Sequence, residues 1–240
     1  MTSPQIRIEP PFGPTDKPRE RGVPLSVRLR AWAVRGAAAL AITLALLALP
    51  FFVLVRSAVW LHDRGVGTAW LPLAGGVLFT GLLLVGYAVV TTRMISGRWR
   101  LPRYAKRVLL GITAAFALHG VLFLSANNAK SGDVRDGYRQ VHPLLRVATA
   151  TLVLVDRELV VTDASRTLDD YRRMGLPPYE ASLHFGQPNG WVHAVDLRTI
   201  GRKRWQNGFM GLYFWSMGFQ TLRHRGTADH LHVSLPPRRN

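Results

Sequence analysis

The chain has 240 residues, 48% of them apolar, with 31 Lys+Arg against 14 Asp+Glu and a formal net charge of +17. So much Leu, Val and aromatic content excludes a disordered basic tail, and the unevenly spread charge argues against a nucleic-acid-binding globule. Cysteine is absent, which rules out disulfides, iron–sulfur clusters and thiolate zinc sites and leaves His and carboxylates as the available metal ligands.

Residues 1–30 are rich in proline (Pro10, Pro11, Pro14, Pro18, Pro24) and charge, and read as a flexible basic tail. Within 31–129 lie three stretches without Asp, Glu, Lys or Arg: Ala37 to Val55 (19 residues), Gly65 to Thr92 (28) and Val108 to Ala129 (22). A hydrocarbon core about 30 Å thick needs roughly 20 helical residues, so three transmembrane helices are expected. Buried helices of a soluble bundle would carry a charged outer face. A cleaved signal peptide fits badly, because some thirty polar residues come first and two more spans follow.

Basic residues crowd the segment before the first span and the second loop (Arg93, Arg98, Arg100, Arg103, Lys106, Arg107), whereas the first loop holds only Arg64 beside Asp63. The positive-inside bias puts the N-terminus in the cytoplasm and residues 130–240 outside it. Much of the positive charge is therefore topology signal. No Asp, Glu or Lys interrupts a span, which argues against ion transport. His119 is the one ionisable exception and is read as packed. The helices are expected to act as an anchor in membrane lipid.

Residues 130–240 are enough for one small domain. Gln140 to Val155 has helical apolar spacing with Pro143 in the first turn. Glu158 to Asp163 reads as a strand, and Ser165 to Asp170 as a helix start with an acidic first turn, closed by Gly175-Leu176-Pro177-Pro178. Trp191 to Leu197 is a strand, Trp205 to Met217 an aromatic helix, and Thr221 to Arg225 with His230 to Leu235 a pair of strands around a turn at Gly226. The fold class is α+β.

Six of the eight histidines follow residue 129, and five of them (His184, His193, His224, His230, His232) fall within 49 positions. On a strand His230 and His232 share one face, and Asp196 supplies a carboxylate. Two His and one carboxylate with a fourth position open is a catalytic zinc arrangement. The competing reading is an HxH pair facing solvent or packed in a core.

Ser182-Leu183-His184-Phe185-Gly186, Ala194-Val195-Asp196-Leu197 and His230-Leu231-His232-Val233 together resemble the zinc peptidases of the lysostaphin, D-Ala-D-Ala carboxypeptidase and hedgehog group. The upstream run Val160 to Thr167 looks like that group's substrate-holding element. The resemblance covers about residues 155 to 236 and implies a hedgehog/D-Ala-D-Ala-peptidase-like domain. It further implies Zn2+ held by His184, Asp196 and His232, with Ser165 and Arg166 binding substrate. The proton-transfer group would be His230, with Asp229 as its rival.

His184 lies twelve positions before Asp196, where the group has seven. An insertion within Gln187 to Trp191 reconciles the two, since Pro188, Asn189 and Gly190 are loop formers. The alternative ligand is His193, whose side chain would point to the opposite face of the strand from Asp196.

The resemblance implies a zinc metallopeptidase of bacterial peptidoglycan peptides, carried on the cytoplasmic membrane with its domain in the periplasm or outside. A non-catalytic metal-containing domain that binds cell wall or protein is the first rival. A two-histidine phosphoesterase is the second, suggested by His232-Val233-Ser234-Leu235, but that chemistry needs two such elements. No nucleic-acid partner is expected. A reporter fused after Asn240 should be active outside the cytoplasm, and protease protection of the C-terminus in intact spheroplasts would overturn this topology.

Overall fold

The computed structural model describes residues 25–97, 99–175, 177–226 and 229–236. The expected tail up to position 24, Leu176, and the loop residues Thr227 and Ala228 lie outside the described residues. Three helices come first: α1 (Leu25–Asp63), α2 (Trp70–Ser96) and α3 (Arg103–Leu122). All three are long and apolar enough to cross a membrane. α1 begins inside the segment expected to be tail, because no Gly or Pro interrupts Leu25 to Arg35. The chain divides into two compact units, residues 1–45 and residues 46–240, and the first holds the leading part of α1.

Within the second unit, small residues let the helices approach closely. A Cβ at Gly76 of α2 would lie 2.5 Å from the Leu54 carbonyl oxygen and 2.9 Å from the Ala58 Cβ of α1. Pro50 has no N–H to give the Leu46 carbonyl. The Tyr87 hydroxyl of α2 donates to that carbonyl instead, at 3.3 Å, so a neighbouring helix repairs the break.

After α3 come two short 3-10 turns (Ala126–Asn128 and Tyr138–Gln140) around α4 (Gly132–Gly137). α5 (Pro143–Val153) then starts three residues later than expected, with Pro143 in its first turn. His142 caps it, its Nδ1 accepting the Leu144 N–H at 3.3 Å. Nine of its eleven residues are buried, as befits a helix apolar on nearly every side. One side meets α3, where a Cβ at Gly120 would sit 3.2 Å from the Ala150 Cβ. Leu54, Val59 and Val121 of the long helices share one buried cluster with Leu145 and Ala148 of α5 and with Leu197 and Val233 of the sheet.

The sheet has the order β1-β2-β4-β3, with every pair antiparallel. Its strands are β1 (Val161–Asp163), β2 (Ala194–Arg198), β3 (Gln220–His224) and β4 (His230–Ser234). β1 is half its expected length, and its register with β2 is irregular between Val161 and Asp163. α6 (Leu168–Arg173) follows β1 and is capped by Thr167 rather than Ser165, in a reciprocal box with Asp170. α7 (Arg204–Met217) ends at Gly218 with φ 99°, a left-handed cap that turns the chain directly into β3. Register sets the faces. Asp196 pairs with His232 and His232 with Leu222, while Arg198 pairs with His230 and His230 with His224. These rows share one face, and the buried Val195, Leu197, Leu231 and Val233 occupy the other.

The helix packing gives a paired expectation. Gly76→Leu should lower the stability of the detergent-solubilised protein by about 1–3 kcal/mol, the usual cost of overpacking. Gly86→Leu, on the same helix with nothing within 4 Å of its Cβ position, should stay within about 0.5 kcal/mol. Equal thermal unfolding of the two variants would contradict the packing.

Candidate metal centre

β2 and β4 bring Asp196 and His232 directly opposite each other, and the loop before β2 adds His184. His232 Nδ1 lies 2.9 Å from Asp196 Oδ1, His184 Nε2 lies 3.1 Å from the same oxygen, and the two ring nitrogens are 3.2 Å apart. These three residues form a group able to hold a metal ion. The His184 ring is oriented from behind, its Nδ1 donating to the Ala164 carbonyl at 2.8 Å. A carbonyl only accepts, so in a neutral ring the His184 Nε2 presents its lone pair to the other two atoms. One proton on His232 Nδ1 serves at most two edges of this triangle, whereas an ion serves all three. Ligands about 2.0–2.1 Å from a tetrahedral ion lie roughly 3.3 Å apart, close to the edges found here. Two imidazoles and a carboxylate are a donor set that could hold a metal ion.

The long interval between His184 and Asp196 has a simple shape. Gln187 N–H donates to Trp191 O at 2.9 Å and Gly190 N–H to Gln187 O at 2.8 Å, with Gly190 at φ 80°. This turn reverses the chain, pairing Gly186 with Val192. His193 is buried away from the centre. Its Nδ1 donates to Leu235 O at 3.1 Å, and its Nε2 accepts from Asn189 at 2.9 Å. Its ring packs 5.0 Å from His142 and 6.0 Å from His62.

Arg166 reaches the centre from the segment after β1. Its Nε donates to Asp163 at 2.6 Å and its Nη2 to Asp196 Oδ2 at 3.3 Å. Asp163 was not anticipated as part of the site. Its only signal is its position three residues before Arg166. His230 Nε2 lies 3.4 Å from Asp196 Oδ2, and the His224 ring stacks on it at 4.8 Å. Asp229 is already engaged by Thr199 and by Arg223 at 3.0 and 2.9 Å. Those bonds, Arg223 first, hold its carboxyl down at about 2, which makes it a poor base. Burial alone would raise the Asp196 carboxyl, but hydrogen bonds from His184 and His232, with the nearby His184 and His230 charges, hold it well below the usual carboxylate range.

The centre lies between two clefts. A charged cleft of about 870 Å³ is lined by Lys130, Ser165, Arg166, Arg198 and His230 among others. A second, mainly apolar cleft of about 700 Å³, lined by Leu183, Trp215, Phe219 and Leu222 together with Gln220, Thr221 and Ser234, has His232 in its wall. No family model, curated protein or solved structure matches the chain.

The purified protein is expected to bind one equivalent of metal, and His232→Ala, Asp196→Ala or His184→Ala should abolish binding. His193→Ala should retain it. Metal analysis showing loss in the His193 variant and retention in the His184 variant would reassign the ligand.

Proposed function

We propose that the protein is a membrane-anchored, zinc-dependent peptidase acting on peptidoglycan-type, D-amino-acid-containing peptides on the outer side of the bacterial cytoplasmic membrane. The convergence of His184, Asp196 and His232, with His230 and Arg166 beside them, carries this reading. It is the set of residues that the resemblance to the lysostaphin, D-Ala-D-Ala carboxypeptidase and hedgehog group names.

His184, Asp196 and His232 would hold the zinc, which when bound lowers the pKa of water toward about 7 and polarises a carbonyl. His230 is the residue placed to move protons. It borders the charged cleft and is only partly buried, and its Nε2 sits beside the inner carboxylate. It can take a proton from water and return it to the leaving amine. Arg166 spends Nε and Nη2 on Asp163 and Asp196, leaving further N–H groups for a substrate carboxylate. Ser165 lines the same cleft and can add a hydroxyl to that contact.

His230→Ala should keep its metal and lose roughly 10²–10⁴-fold in turnover, the usual worth of positioned acid–base catalysis. Asp229→Ala should retain most activity. The assay is release of fragments from isolated peptidoglycan, identified by mass. No release by the zinc-loaded parent would leave a non-catalytic wall-binding domain as the reading.

A further inference from the structure

The outward face of α7 is apolar where a soluble domain would place charge. Trp205, Phe209, Leu212 and Trp215 are 67, 45, 60 and 67% exposed. Their spacing puts them on one side of the helix, while Asn207, Met210, Phe214 and Met217 are buried on the other. Lys203 and Arg204 stand exposed at the start of the helix. A contiguous aromatic stripe with basic residues at one end is the pattern of a helix lying in the headgroup region of a bilayer.

The packing puts the C-terminal end of α7 beside the end of the first uncharged run. A Cβ at Gly218, just past the end of α7, would lie 3.0 Å from a Val59 methyl and 2.9 Å from the Arg56 guanidinium of α1. Arg56 is the first charge after the uncharged run that ends at Val55, so it marks where that span leaves hydrocarbon. The stripe thus starts from an end of α7 that lies against α1 where its uncharged run stops. Trp215 belongs to the stripe and also lines the apolar cleft that has His232 in its wall. Leu222 stands in the same cross-strand row as His232 and is 57% exposed. An apolar path therefore runs from the membrane-facing helix to the metal centre, and the charged cleft opens on the centre's other side.

We infer that α7 docks its aromatic face into the adjacent leaflet and that the apolar cleft admits the lipid tail of a membrane-anchored substrate, whose polar part enters the charged cleft. The substrate class is an amphiphile, a wall peptide borne on a lipid, rather than a free peptide. This substrate assignment rests on the peptidase reading, whereas the docking does not.

The chain has no cysteine, so single cysteines can carry an environment-sensitive fluorophore. In the full chain reconstituted into phosphatidylcholine/phosphatidylglycerol vesicles, labels at Phe209→Cys and Leu212→Cys should be quenched by doxyl-labelled lipid. A label at Asp169→Cys, an exposed site on α6, should not be. Equal quenching at all three sites, or none at 209 and 212, overturns the docking.

A label at Leu222→Cys then reads binding without turnover. A D-Ala-D-Ala-terminated peptide bearing a palmitoyl tail should bind at least tenfold more tightly than the tail-less peptide. Trp215→Glu, or the milder Trp215→Ser, should remove that preference, with an unchanged thermal transition reporting intact fold. A preference that survives both variants means that the tail acts only by partitioning into lipid, and overturns the cleft assignment. Absence of hydrolysis alongside these binding results would defeat the peptidase reading and leave the docking standing.

Discussion

The pairing of Asp196 with His232 across β2 and β4 is the constraint on which the site depends. A one-residue slip would turn both side chains toward the helices and bring Val195 and Val233 to the outer face. What prevents the slip is the other side of the same strands. Val195, Leu197, Leu231 and Val233 are buried in the cluster that also contains Leu145 of α5 and Val59 of α1. At about 1.5–3 kcal/mol for each fully buried side chain of this size, the wrong register would forfeit far more than any polar contact on the outer face could return. The chemistry is therefore registered by packing behind it, and that packing is continuous with the long apolar helices.

Much of this organisation was legible in the chain. The three long helices declare themselves by uncharged runs, since few other structures tolerate so many residues without a charge. The HxH pair and Asp196 were readable as partners because alternation on a strand is strict. The position of His193 behind the sheet follows from the same alternation, given that Asp196 faces outward. Other features had no local signature. α4 and its flanking turns arise from capping by Ser125 and Ser131, without apolar periodicity to announce them. The buried cluster that the long helices share with the sheet runs through α5, which is buried on both sides. A helix with Leu144, Leu145, Ala148 and Leu152 on one face does not reveal that its other face meets Gly120. Asp163 belongs to the site only because β1 is short and irregular, which brings its carboxylate back to Arg166.

The mounting of the site is unusual in how little of it is loop. Asp196, His230 and His232 come from paired strands, and the one member of the cluster that comes from a loop, His184, is tied down at several points. His184 O accepts from Arg166 N–H at 2.8 Å, its Nδ1 donates to Ala164 O, and the neighbouring Leu183 O accepts from His193 N–H at 2.8 Å. Such backing fixes the ring's tautomer and its direction together. The turn at Gly190 reverses the chain without disturbing these bonds, so His184 reaches Asp196 across a separation of twelve positions.

Charge balance gives the last step. The carboxylates of Asp163 and Asp196 are bonded to a single guanidinium, that of Arg166. With neutral histidines this leaves one negative charge in excess, and Asp196 is almost wholly buried. An uncompensated charge in such a place costs several kcal/mol. Protonating the carboxyl would relieve it, but the hydrogen bonds around Asp196 pull its pKa down. Protonating His232 would supply one positive charge, but it leaves the lone pair of a neutral His184 facing the Asp196 carboxylate oxygen. A divalent cation within the triangle would meet the negative charge, the lone pairs and the short separations together, which is the physical sense in which this group could hold a metal ion.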